Sequence, residues 1–187
     1  SATVYLKASD LETDGAYDET IRPGVILSNW RGTPDGYAME LHAKGGRPRL
    51  YIRSDNHSTH TIDLQFATKV YEILKGADSG AANYGTPIDT ALNISIVIDP
   101  ASRAGGSTSV ATLYIYDTAG KLLKTESKTV SRPLPTDAEY APADLQYLIG
   151  GDYSNGNKNA FKGEIPELTG LVPYSPFEFY IKRKLFL

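Results

Sequence analysis

Apolar and polar positions alternate with period two in short segments along the chain, and clusters of turn-forming residues separate those segments. Val4, Leu6 and Ala8 interleave with Thr3, Tyr5 and Lys7, and Ile62, Leu64 and Phe66 interleave with Asp63 and Gln65. Alternation sends successive side chains to opposite sides of an extended backbone, so these segments read as half-buried strands. The same pattern covers 36–42, 49–53, 92–98 and 111–116, while Gly24-Val25-Ile26-Leu27-Ser28 reads as a strand buried on both sides. Asp117-Thr118-Ala119-Gly120-Lys121 predicts a hairpin turn with Gly120 at positive φ and a return strand over 122–127. Further strands are predicted over 147–150, 160–165, 169–172 and 177–186, about a dozen in all. The segment 70–75 fits a turn of helix, and no amphipathic helix is evident. The connections 76–90, 99–109 and 129–144 are longer than hairpins need, and Pro133, Pro135 and Pro142 keep the last one extended. Strand patterns resume beyond each of them, so 1–187 is expected to be a single all-β domain.

Several of these segments, in this order, carry a family resemblance. Gly24-Val25-Ile26-Leu27-Ser28 with Gly36-Tyr37-Ala38-Met39-Glu40-Leu41, then Arg49-Leu50-Tyr51-Ile52, form the first part of it. The pair 93–99 and 113–122 follows as a central hairpin, and Leu148-Ile149-Gly150-Gly151 with Phe161-Lys162-Gly163-Glu164-Ile165 closes the set. Together they resemble the laminin G-like, concanavalin A-like lectin/glucanase superfamily. That resemblance implies a two-sheet antiparallel jelly-roll sandwich, and the Ser1-Ala2-Thr3 start is expected to be that of a domain excised from a larger protein. It also implies roles ranging from lectins and carbohydrate-binding modules through glycosidases and lyases to adhesion domains. The chain departs from the pattern at Ala91-Leu92-Asn93, where a Trp often stands, and at Ile165-Pro166-Glu167-Leu168, where Pro166 donates no ladder hydrogen bond.

Composition narrows the choices. The chain has no cysteine, which removes disulfides and thiolate metal sites. Its 19 basic residues are scattered under a net charge of −3, so a nucleic-acid partner is not expected. No apolar run reaches the length of a spanning helix, so no membrane span is expected either. Thirteen tyrosines against one tryptophan favour strands and supply recognition surfaces with large area at small rotamer cost. A secreted, cell-surface, phage or viral setting is expected, with the domain exposed outside the cell and possible contacts to other domains of its parent.

Candidate chemistry comes from the outward positions. Pooling them over the strands gives Glu40, His42, Arg49, Tyr51, Arg53, Asp63, Gln65, Tyr114 and Tyr116. If those strands are neighbours, tyrosine rings there can stack on sugar C–H faces while carboxylates, amides and guanidinium forks meet hydroxyls. The arginines can also hold an acidic sugar by paired hydrogen bonds. The plain alternative is a solvated face with ion pairs worth ~0–1 kcal/mol each. A loop rim is the second candidate: Trp30 and Arg31 lie in one turn-rich loop, Tyr153 in another, and Gly80-Ala81-Ala82-Asn83-Tyr84-Gly85 in a third. Trp30 reads either as a cap on the core or as a ligand platform.

No cofactor is called for, with calcium as the one exception weighed. Asp152, Asn155 and Asn157 offer clustered oxygen donors, the ligand type calcium takes, and the resembled family often binds that ion. Hydrolysis is disfavoured, since no strand carries the closely spaced carboxylates it uses and Glu40 stands alone. Elimination from a uronate stays open, because His42 or Tyr51 supplies a base and Arg49, Arg53 and Gln65 supply neutralisers. The sequence therefore points to a non-catalytic domain that binds glycan. A protein-contacting structural or adhesion module and a polysaccharide lyase are the alternatives.

Overall fold

A computed structural model describes residues 1–13, 16–17, 24–28, 36–42, 45–53, 62–98, 109–130, 148–150 and 161–168. Its strands are β1 (Ala2–Tyr5), β2 (Glu12–Thr13), β3 (Ala16–Tyr17), β4 (Gly24–Ser28), β5 (Gly36–His42), β6 (Arg47–Arg53) and β7 (Ile62–Gln65). After helix α1 (Val70–Leu74) follow β8 (Leu92–Ile98), β9 (Ser109–Tyr116), β10 (Leu122–Val130), β11 (Leu148–Ile149) and β12 (Glu164–Leu168). One five-stranded sheet has the order β11-β4-β5-β6-β7, a second the order β10-β9-β8-β1-β12, and β2 pairs with β3 in a small ribbon. Every pairing is antiparallel. The all-β expectation holds, with two antiparallel sheets and almost no helix.

Alternation fixes the register of both sheets. In the first, Met39, Leu50 and Leu64 stand in one cross-strand row. In the second, Ala2, Ile94 and Ile115 do the same. These rows point inward, and the buried residues of both sheets join Val70, Ile73 and Leu74 of α1 in one hydrophobic cluster. A slip of one residue would turn each row out to water, and each fully buried Leu or Ile contributes about 1.5–3 kcal/mol. Register is therefore strongly specified.

The edges of the second sheet show where simple alternation gives way. On β10 the row opposite Leu113 holds Glu126, whose carboxylate accepts from the Ala67 and Thr68 amides at 2.8 and 2.9 Å and from Thr68 Oγ1 at 2.7 Å. Lys128 donates to the Gln65 carbonyl at 2.6 Å, and Lys124 pairs with Asp78 at 2.9 Å. One edge strand is thus fastened to the chain that leaves β7 in the other sheet. At the opposite edge, β12 runs through Pro166, which the sequence pattern treats as a strand breaker. An edge position with a register shift between Thr3 and Tyr5 accommodates the missing donor.

Other differences are local. The alternation beginning at Thr3 stops at Tyr5, because the Lys7 amide donates to the Asp10 carboxylate at 2.8 Å and the chain turns through a 3-10 segment, Ala8–Leu11. The β10 strand extends to Val130, into the connection expected from 129. The Asp117–Gly120 turn forms as expected, with Gly120 at φ +82°. The connection 76–90 is ordered around Gly76, whose φ is +64° and whose place admits no Cβ without meeting the Thr86 backbone at 2.6 Å. The strands expected over 169–172 and 177–186 lie outside the described residues. Among the described residues no helix is long and apolar enough to cross a membrane.

Candidate functional site

The outward residues of the first sheet form one charged surface. Glu40, Arg49 and Gln65 stand in a row across β5, β6 and β7, Tyr51 lies opposite Asp63, and His42 lies opposite Arg47. Arg49 is the centre of this surface. Its Nε and Nη2 donate to the two oxygens of Asp63, both at 2.7 Å, in a bidentate fork. Its Nη1 donates to Glu40 Oε1 at 2.6 Å and lies 3.3 Å from His42 Nδ1, while His42 Nδ1 is 3.1 Å from Glu40 Oε1. The guanidinium also covers the Tyr51 ring at 5.1 Å. The hydrogen bond to Asp63 raises the Arg49 pKa further above its already basic value, and the same bond from Arg49 lowers the Asp63 carboxyl below the usual range.

This geometry has a chemical consequence. A fork already closed on Asp63 and Glu40 has its charge met inside the protein and less to offer the carboxylate of an acidic sugar. Arg53 is placed in β6 by its backbone, opposite Gly36, and its side chain lies outside the described residues. The residue types named for elimination, His42, Tyr51, Arg49 and Gln65, do share the sheet. Yet the charge of Arg49 is met by carboxylates of the protein itself.

Tyr114 and Tyr116 are not part of that surface. They belong to β9, in the other sheet, so the single pooled face expected from alternation divides into two. The reason is physical: a period of two tells inside from outside on each strand but says nothing of which strands pair. Leu113 and Ile115 are fully buried, so the tyrosines between and after them face away from the core. Their rings are nearly parallel, 18° apart in plane and 6.2 Å between centroids. Tyr114 is flanked by Ser95 and Thr125, and Tyr116 by Asn93 and Leu122. Asn93 Nδ2 donates to Thr3 Oγ1 at 3.3 Å, Ser1 and Ser95 hydroxyls meet at 2.8 Å, and Thr112 and Ser127 hydroxyls at 3.0 Å. Beside the two rings the face carries hydroxyls, one amide and the apolar Leu122, and the row of Tyr116, Asn93 and Thr3 ends at Glu167, whose carboxylate accepts from Thr3 Oγ1 at 3.5 Å.

Trp30, Arg31 and Tyr153 lie outside the described residues, as do Asp152, Asn155 and Asn157, the residues considered for calcium. Among the described residues no group of three or more acidic or His side chains is placed to hold a metal. Of the rim loops, 80–85 is described, and it packs against β10, with the Ala82 amide donating to the Leu123 carbonyl at 2.8 Å. Sequence reasoning missed the ring stack of Tyr17 on Tyr71, 4.2 Å between centroids, and the carboxylate of Glu12 that accepts from the Tyr71 hydroxyl at 2.9 Å. The partners sit far apart in the chain, and no local signal joins them. Compared with known proteins, the chain matches no family model, no curated sequence and no solved structure.

Proposed function

We propose that this chain is a non-catalytic recognition domain that binds glycan on the tyrosine-bearing face of the β10-β9-β8-β1-β12 sheet. The observation that carries the reading is the pair of near-parallel rings of Tyr114 and Tyr116 among hydroxyl and amide groups. Aromatic faces take the C–H sides of sugar rings, while Asn and Ser or Thr side chains both donate to and accept from hydroxyls. In this reading the ligand is neutral rather than acidic, because the charge of Arg49 is met by Asp63 and Glu40. The two sheets would then be those of a concanavalin A-like jelly roll, carried by a secreted, cell-surface, phage or viral protein.

A second reading draws on one further observation. Val97 and Leu122 on the same sheet are 49% and 41% exposed, and tyrosines with exposed apolar neighbours also suit a protein partner. A glycan array, run with and without calcium, together with light scattering, separates the two. The proposal expects neutral glycans to be bound. Silence on every glycan, with a stable oligomer in solution, favours the adhesion module. An increase in absorbance on incubation with acidic polysaccharides would favour the lyase over both.

A further inference from the structure

Where β9 turns into β10, the connection 76–90 and the turn 117–121 line an open cleft of about 340 Å³. That volume lies at the small end of ligand clefts, suited to a single ring rather than a chain. Its walls are fixed. Asn83 Nδ2 donates to the Ile73 and Thr86 carbonyls at 2.7 and 3.0 Å, Ile88 donates to the Leu74 carbonyl at 2.8 Å, and Lys124 holds Asp78. A site built this way needs little ordering when a ligand arrives.

The lining carries acceptors and donors together, with Asp89 and Asp117 beside Lys121 and the hydroxyls of Thr86, Thr90 and Thr118. Asn83 is 8% exposed, and its Oδ1 is buried with no hydrogen-bond partner among the described residues. That oxygen is shut off from the cleft, so Asn83 shapes the wall and does not meet a ligand through it. Asp117 Oδ1 accepts from the Ala119 and Lys121 amides, and Asp89 Oδ1 from the Tyr5 hydroxyl. The second oxygen of each carboxylate has no partner among the described residues, and both residues line the cleft. Ile88 and Leu123 supply an apolar wall beside them. Lys121 lines the same cleft and Lys7 lies 5.8 Å over the Tyr5 ring, so the carboxylates are not left as a net negative hole. A small, neutral molecule with an apolar side and several hydroxyl donors fits this lining.

The cleft also adjoins the tyrosine face. Asp117 directly follows Tyr116, and Tyr5, whose hydroxyl reaches Asp89, is the last residue of β1. We infer that the cleft takes the terminal monosaccharide unit of a glycan, its hydroxyls donating to Asp89 and Asp117. This rests on the glycan reading for the chain that continues along Tyr114 and Tyr116.

The test is an amide chemical-shift titration of the whole protein with free glucose, galactose, mannose and N-acetylglucosamine, and with a neutral oligosaccharide. Saturable shifts confined to 82–90 and 117–123 are expected for at least one monosaccharide, with a dissociation constant on the order of 1 mM. Thr86→Trp, at an exposed position on the rim, should weaken that binding by about tenfold or more. Ala119→Trp, exposed on the opposite wall, checks the result should the first variant fail to fold. Tyr114→Ala should leave monosaccharide binding intact and weaken the oligosaccharide alone. Absence of saturable shifts in those segments, or shifts that neither tryptophan alters, overturns the cleft site whatever the tyrosine face does. Monosaccharide binding in the cleft with no loss of oligosaccharide in Tyr114→Ala sinks the face and spares the cleft.

Discussion

Replacing Glu126 by alanine removes one carboxylate that three donors use at once: the Ala67 amide, the Thr68 amide and the Thr68 hydroxyl. Thr68 is buried, so its amide loses its partner without gaining water. Hydrogen bonds to a charged group contribute about 1.5–3 kcal/mol, and the position on a partly solvated edge strand discounts that. A loss of about 2 kcal/mol is expected for Glu126→Ala, and about 1 kcal/mol for Glu126→Gln, which keeps one acceptor. For a chain of this size the alanine variant should melt about 4–8 °C lower by circular dichroism. The pH dependence gives an independent check. Burial alone would raise the Glu126 carboxyl, but the Ala67 and Thr68 hydrogen bonds outweigh it and hold the group below its ordinary value. A carboxyl depressed in the folded state stabilises fully above its unfolded value, about 4.3, and that stability is lost as the pH falls through the lower folded value. The gap between wild type and Glu126→Ala should be full at neutral pH and shrink in acid below about pH 4. Equal melting at neutral pH, or a gap unchanged down to strong acid, would refute the clamp.

Asp63→Asn should cost about 1 kcal/mol after allowance for solvent screening, read by urea denaturation, and its effect should fade as pH drops below the ordinary Asp range, because Arg49 holds that carboxyl low. Leu113→Ala, fully buried between the sheets, should cost about 2–5 kcal/mol in the same assay; a loss below 1 kcal/mol would contradict the shared core. Gly76→Ala should destabilise by more than the roughly 1 kcal/mol of its positive φ, since the Thr86 backbone leaves no room for a methyl group; a neutral result would deny that approach. Arg49→Ala should lower the melting temperature while leaving neutral glycan binding unchanged within about twofold; selective loss of acidic glycans would reinstate Arg49 as a ligand contact.

What the sequence revealed was local. Leu113 and Ile115 against Tyr114 and Tyr116, or Leu41 against Glu40 and His42, sort correctly because the pleat enforces a period of two. The Asp117–Gly120 turn was legible because its geometry demands particular residues. Partnership between distant strands was not, since β8 lies beside β1 and β1 beside β12, pairings that no local signal encodes. The inward charges of β10 were opaque for the same reason: Lys124 and Glu126 look misplaced until Asp78 and Thr68, from distant segments, come to meet them. Arg49 looked like a free donor until the Asp63 carboxylate was seen across the sheet.

Titration calorimetry of a neutral oligosaccharide against wild type and a Tyr114→Ala/Tyr116→Ala double variant, matched for melting temperature, tests the central claim. The account predicts measurable binding by wild type and at least about a tenfold loss in the variant. Undiminished binding by the variant would contradict it.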